Sequence, residues 1–483
     1  MYYYNNVRVA MLFTSNVFVQ FFLPFLFIFY FSIPRMGIKG KNLVLLVFSL
    51  VFYAFGGVRH FFLLLISILI NYIGGLGVGL CRNSFGRKIW LWVSVTLNLA
   101  MIGIFKYAGF ASSILKDLGI ITEVVNIALP IGISFFTFQG LSYVVDVYRG
   151  DTPVQKNPLN VALYVSLFPQ LVAGPIVRYT DIEKEIIQRE HSIAKASDGL
   201  VRFMLGFGKK MLIANPMGLI ADDVFALIDS ELLTTPLAWV GAIAYTMQIY
   251  FDFSAYSDMA IGIGAIFGFH FNENFNYPYI ASSITDFWRR WHISLSTWFR
   301  DYVYIPLGGN RCSIARHILN LVIVWFLTGL WHGASWNFIA WGTYYGLLLI
   351  LEKYVLQKLL PKIPKWIRHI STLLIVIIGW VFFRATTLKD GVEYLSVMFG
   401  GASFDLSSTV YYLLQFAPEF VCAIIGIFPL KNLIANIFDK HSEKNGVQVV
   451  RVILPKVFAV IVFILSYAAL ISGSFNPFIY FQF

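Results

Sequence analysis

Apolar runs long enough to cross a hydrocarbon core, roughly 17 to 25 residues each, recur along the whole chain with short polar breaks between them. The clearest lie at 17–33, 42–55, 61–80, 89–105 and 125–147. Less regular stretches follow at 161–177 and 203–224, where Gly, Pro and Lys interrupt the pattern. Further runs occupy 237–269, 317–330, 336–351, 369–383, 410–428 and 452–472. Allowing for interruptions, the count is roughly ten to twelve full crossings. Lipid offers the backbone no hydrogen-bond partner, so each crossing is expected to be helical. The pattern predicts an all-α, polytopic integral membrane protein: one membrane domain over residues 1–483 and no soluble domain.

Composition agrees. Hydrophobic residues make up 58% of the 483 and charged residues only 13%, a balance that excludes a water-soluble globular protein of this size. The net charge of +11 does not point to nucleic acid, because the basic residues sit in short loops rather than on one face or tail. That is the positive-inside pattern. Arg35, Lys39 and Lys41, then Arg82, Arg87 and Lys88, then Arg149 and Lys156 fall on one side if each early span crosses once, and that side is expected to be cytosolic. Continuing the count puts the polar segment 272–316 on the same side. Cys81, Cys312 and Cys422 are far apart and lack metal-ligand spacing, so neither a disulfide framework nor a zinc site is indicated. The first apolar stretch has no basic n-region or small-residue cleavage site and reads as a retained helix; translation from Met11 is an alternative start, since residues 1–10 are polar and tyrosine-rich. No inverted repeat, phosphate loop, HExxH, nucleophile elbow or EF-hand loop is found.

Chemistry concentrates in three places. In TGLWHGASWNFIAWG (328–342), His332 lies between two apolar runs, sixteen residues beyond Arg316. As helix that is about 24 Å, well inside the membrane, where an ionisable side chain needs a reason. Gly329, Gly333, Ala334 and Ser335 are small enough for close approach. Two readings stand open: a hydrogen-bonding residue between helices, or a general base matched to removing a hydroxyl proton near neutral pH. The second place, residues 285–311, mixes Trp288, Trp291, Trp298, Tyr302 and Tyr304 with Arg289, Arg290, Arg300 and His292, which suits an interfacial helix. Its guanidinium groups would face the phosphates of lipids or of a donor such as coenzyme A. The third, residues 247–264, puts Tyr250, Ser254, Ser257 and Asp258 on one helical face, lining a tunnel or packing against another helix. Asp252 points elsewhere, with Gln248 one turn before it.

These residues resemble the membrane-bound O-acyltransferases, and within them the bacterial branch of the alginate O-acetyltransferase membrane subunit. The likeness runs nearly end to end. It rests on FTSNVFVQFFLPF (13–25), LPIGISFFTFQGLSYVVDVYRG (129–150), LFPQLVAGPIVR (167–178), QIYFDFSAYSDMAIG, DFWRRWHISLSTWFRDYVYIPLGGNR, LTGLWHGASWNFIAWG and the terminal NPFIYFQF (476–483). The resemblance implies re-entrant and interfacial helices around a tunnel, in a bacterial cytoplasmic membrane. It carries the family's essential histidine onto His332 and its second histidine onto His292. It implies a cytosolic thioester donor, acetyl-CoA in acetylating members, with no permanently bound cofactor and no metal. An envelope-side acetyltransferase or esterase-like partner would finish transfer onto a polysaccharide; a relative that handles D-alanine uses a carrier protein. Arg289, Arg290, Tyr250, Ser254 and Asp258 are expected at donor or substrate, and Asn337 is a candidate oxyanion donor. Direct transfer and an acyl-histidine intermediate are both open. A transporter without acyl chemistry would use the same polar tunnel and basic cytosolic face; a non-catalytic scaffold would predict that His332→Ala assembles normally and leaves acetylation intact.

Overall fold

The computed structural model describes residues 11–33, 35–430, 445–473 and 477–479. Residues 1–10, on which the alternative start at Met11 turns, His441 and most of the terminal motif 476–483 lie outside them. The described residues are helices and connections, with no strand among them.

Among the described residues, five helices are long and apolar enough to cross a membrane: Val58–Leu80, Ser84–Asp117, Ile314–His332, Lys365–Arg384 and Val450–Ser472. A sixth crossing is possible if the pair Ser407–Gln415 and Ala417–Gly426, bent by 70° where Pro418 enters the second helix, counts as one. Other apolar runs are divided rather than continuous. The first is a π-helical turn, Phe18–Phe22, followed by Leu23–Phe31. The run at 161–177 becomes Pro158–Ser166 and Phe168–Leu171, because Pro169 fits only in a first helical turn and the chain breaks at Leu167. The run at 125–147 is helical only from Ile133. Gly132 precedes that helix with φ +76°, and a side chain there would stand 2.8 Å from the Leu171 carbonyl oxygen.

The chain divides into two compact units. The first comprises Met1–Phe203, Tyr256–Asn272 and Leu470–Phe483. In it, Val58–Leu80 packs against both Ser84–Ile102 and Ile133–Arg149. Its glycines permit this: a Cβ on Gly77 would enter the Trp90 ring at 2.2 Å, and one on Gly75 the Tyr143 ring at 2.5 Å. Between the first two helices, Asn71 and Asn98 donate to each other's side-chain oxygens at 3.2 and 3.0 Å, and each also donates to a carbonyl one turn back.

The second unit comprises Met204–Ala255 and Glu273–Ala469. Its tightest feature is the hairpin of Ile314–His332 and Trp336–Leu351, joined by Gly333, Ala334 and Ser335. Added Cβ atoms on Gly329 and Gly342 would meet backbone oxygens of Phe338 and Trp325 at 2.4 Å, so the two helices touch backbone to backbone. Residues 235–255 of helix Thr235–Ile266 belong to this unit and carry buried polar side chains at Thr246, Gln248, Asp252 and Ser254.

Candidate active site

His332 is the last residue of its helix, and the hairpin connection begins at Gly333. Only 4% of the residue is exposed. Aromatic rings surround its imidazole edge to face: Trp331 at 4.9 Å, Trp341 at 5.0 Å and Phe383 at 5.1 Å between centroids. Phe383 comes from helix Lys365–Arg384, and Trp341 from the second arm of the hairpin. These walls exclude water, which strengthens any electrostatic interaction within them.

His292 lies forty residues earlier, between the short helices Ile284–Arg290 and Ile293–Phe299, neither of which is a membrane span. Its backbone is left-handed, φ 44° and ψ 55°, a conformation that costs a non-glycine residue about 1 kcal/mol or more. The side chain is held accordingly. Asn274 Oδ1 accepts from the Ser294 backbone N–H at 3.2 Å and from its hydroxyl at 2.9 Å, which identifies that atom as the oxygen. His292 Nδ1, 3.1 Å away, must then carry the hydrogen and donate. The lone pair of the neutral ring is therefore on Nε2. Burial pushes this imidazole down to about 3, so it is neutral at physiological pH. Because the ordinary value of 6.5 returns on unfolding, the group costs stability as pH falls from 6.5 toward 3.

The fold brings the two histidines to one indole. Trp331 lies 4.9 Å from the His332 ring and 5.8 Å from the His292 ring. Phe253 also packs against His292 at 4.6 Å, perpendicular to it. Neither Trp331, Phe253 nor Asn274 was singled out by the sequence, and no spacing rule links Asn274 to a histidine eighteen positions on.

The remaining sequence candidates separate into groups. Tyr250 is buried among Phe275, Tyr279 and Trp291 at 5.9, 5.2 and 6.2 Å, beside the His292 segment. Ser254 follows Phe253, and its buried hydroxyl has no hydrogen-bond partner among the described residues. Asp258, in the other unit, accepts two N–H groups of Arg202 at 2.9 and 2.8 Å. Arg290 pairs with Asp286 at 2.9 Å and reaches the Asn276 carbonyl at 3.2 Å, both local bonds, while Arg289 is exposed. Asn337 donates to the Ala385 and Phe382 carbonyls at 2.8 and 3.4 Å and accepts from Ser335. Its amide thus clamps the end of the Phe383 helix against the hairpin, a different task from receiving an oxyanion. Helix Thr235–Ile266 also holds Asp252, fully buried and paired with the equally buried Lys210, a pairing that the sequence did not reveal. Among the described residues no three His, Cys, Asp or Glu side chains are placed to hold a metal.

Comparison with known proteins adds a family. The profile of the membrane-bound O-acyltransferase family matches residues 152–388, a span containing His292, His332 and Asn274. A probable alginate O-acetylase of Azotobacter vinelandii is 40% identical over 507 aligned positions, covering 98% of this chain and all of that protein. Another, from Pseudomonas aeruginosa, is 45% identical over 406 positions, covering 82% of this chain and 76% of its own length. A peptidoglycan O-acetyltransferase of Helicobacter pylori is 35% identical over 427 positions, 81% of this chain and 80% of that protein.

Proposed function

Because this chain belongs to the membrane-bound O-acyltransferase family and is a multi-pass membrane protein, we propose that it moves an acetyl group from a cytosolic thioester, acetyl-CoA, toward hydroxyl groups of an envelope or extracellular polysaccharide. The relatives are named for alginate and peptidoglycan O-acetylation, which supports a polysaccharide acceptor. The chain acts in the bacterial cytoplasmic membrane, with an envelope-side acetyltransferase or esterase-like partner that completes transfer to the polymer.

The observation that carries the reading is that His292 and His332 both pack against the Trp331 indole, at 5.8 and 4.9 Å between centroids. His332 takes the proton of the acceptor hydroxyl as its oxygen attacks the thioester carbonyl. The carbon–sulfur bond then breaks, and the thiolate recovers the proton from the imidazolium. Protons balance, and no other reagent is consumed. His292, kept neutral with its lone pair on Nε2, orients the acceptor hydroxyl without adding charge to a water-poor site. General-base assistance of this kind contributes roughly 100- to 10,000-fold.

The test is transfer of label from radioactive acetyl-CoA by purified protein in proteoliposomes, with the partner and polysaccharide supplied. Label reaching the acceptor with wild type but not with His332→Ala supports the reading. Equal transfer by both proteins would remove His332 from the chemistry, and no thioester consumption by active-folded wild type would remove acyl-CoA as donor.

A further inference from the structure

Attack on a thioester puts negative charge on the former carbonyl oxygen, and in a site walled by rings no bulk water shares that charge. The protein must then supply a donor. Asn337, the side chain that sequence spacing suggested, spends its amide on the Ala385 and Phe382 carbonyls. The Ser335 hydroxyl donates to Asn337, and that of Thr328 to the Val324 carbonyl. The rings around His332 bring one further donor, on Trp341.

Trp341 is fully buried, its indole 5.0 Å from the His332 imidazole between centroids and at 80° to it. The Nε1–H has no hydrogen-bond partner among the described residues. Its neighbours show why: Trp288, Tyr345 and Phe383 stand edge to face around it at 5.5, 5.3 and 5.2 Å, and the Tyr345 hydroxyl is turned against Gly379. An indole nitrogen only donates and an oxyanion only accepts, so each meets what the other lacks. A buried donor left unmet costs about 1 to 3 kcal/mol, and that cost is relieved when an acceptor arrives.

Reach and rigidity agree. An acceptor oxygen held about 2.8 Å from the imidazole, with the carbonyl carbon about 3 Å beyond it, puts the developing anion within about 6 Å of the ring, the shell that Trp341 occupies. Gly342, next to Trp341, packs on Gly329, three residues before His332; a Cβ on Gly342 would stand 3.0 Å from the Gly329 Cα. Backbone contact that close fixes the indole relative to the imidazole before substrate binds, and a donor set in advance is what stabilises a transition-state charge.

We propose that the Trp341 Nε1–H is the oxyanion donor of the transfer. It hydrogen-bonds the carbonyl oxygen while the acceptor oxygen bonds to the carbonyl carbon and the C=O π pair moves onto that oxygen. The hydroxyl proton passes to His332; the C=O bond then re-forms, and the thiolate leaves with the carbon–sulfur pair and takes the proton from the imidazolium. The indole keeps its own hydrogen throughout. This rests on the reading of His332 as general base in transfer from a thioester.

The experiment replaces Trp341 in the full-length protein by benzothienylalanine, which keeps both fused rings and puts sulfur where the N–H stood. The proteoliposome transfer assay is then run with acetyl-CoA and with fluoroacetyl-CoA, whose fluorine withdraws charge from the oxyanion. With acetyl-CoA, kcat should fall about a hundredfold, with KM and melting temperature near those of wild type; with fluoroacetyl-CoA the deficit should be several-fold smaller. Trp341→Phe should show the same pattern, the donor dependence separating lost charge stabilisation from looser packing. A wild-type kcat in the benzothienylalanine variant, or an equal deficit on both donors, overturns the proposal while acyl transfer by wild type stands. A wild type that turns over neither donor, or a His332→Ala variant as active as wild type, overturns the reaction itself and this donor with it.

Discussion

Two sets of buried polar side chains in this molecule follow opposite rules. Asn71 and Asn98 lie between apolar helices and bond to each other and to carbonyls of their own helices. The pair closes on itself and presents nothing for chemistry. His292 and His332 are equally buried, but rings rather than hydrogen-bonding groups make most of their surroundings, with Trp331 common to both. The Ser254 hydroxyl and the Trp341 and Trp288 indole N–H groups, buried in the same unit, lack hydrogen-bond partners among the described residues. Such polar groups are costly to leave unmet. The first set uses polarity as glue between helices; in the proposed reaction the second set meets the reactant instead.

That contrast breaks most sharply on a pair of alanine variants. His332→Ala should lower acyl transfer by about a thousandfold while its melting temperature stays near that of wild type; a variant that melts early and keeps its specific activity would make His332 another piece of glue. Next in size, Asn274→Ala should reduce kcat about tenfold by leaving the His292 Nδ1–H without its acceptor. Asn274→Asp, which keeps an oxygen there, should recover part of the loss; equal damage by both substitutions would count against control of the tautomer. On the other side of the comparison, Asn71→Ala should cost about 1 kcal/mol in thermal or denaturant unfolding and leave activity per folded molecule unchanged. Adding Asn98→Ala should then cost little more, since the bonds are shared. The smallest effect is expected from Arg290→Gln, whose partly exposed pair with Asp286 contributes a few tenths of a kcal/mol; a large rise in donor KM would instead return Arg290 to the donor site.

Legibility in the sequence followed the same divide. The crossings at 61–80, 317–330 and 369–383 correspond to Val58–Leu80, Ile314–His332 and Lys365–Arg384, because lipid requires uninterrupted apolar helix and leaves a plain trace of it. The run at 125–147 misled by its first third: hydropathy does not register that Pro130 and Gly132 set a turn against Leu171. His332 was legible as an ionisable residue in an apolar run. What surrounds it was not, since Phe383 arrives from a distant segment by tertiary packing alone, as Asn274 does beside His292. Asp258 shared a helical face with Tyr250 and Ser254, yet periodicity could not show that Arg202 waits for its carboxylate.

The left-handed backbone of His292 bears on how this position drifts over generations. Glycine adopts that conformation freely, and asparagine with little difficulty, so both are within easy conformational reach whenever selection on the imidazole relaxes. Histidine stands there against a local backbone bias. A descendant with glycine or asparagine at 292 and an otherwise intact fold would therefore mark a lineage that has stopped using the ring, recorded in one codon.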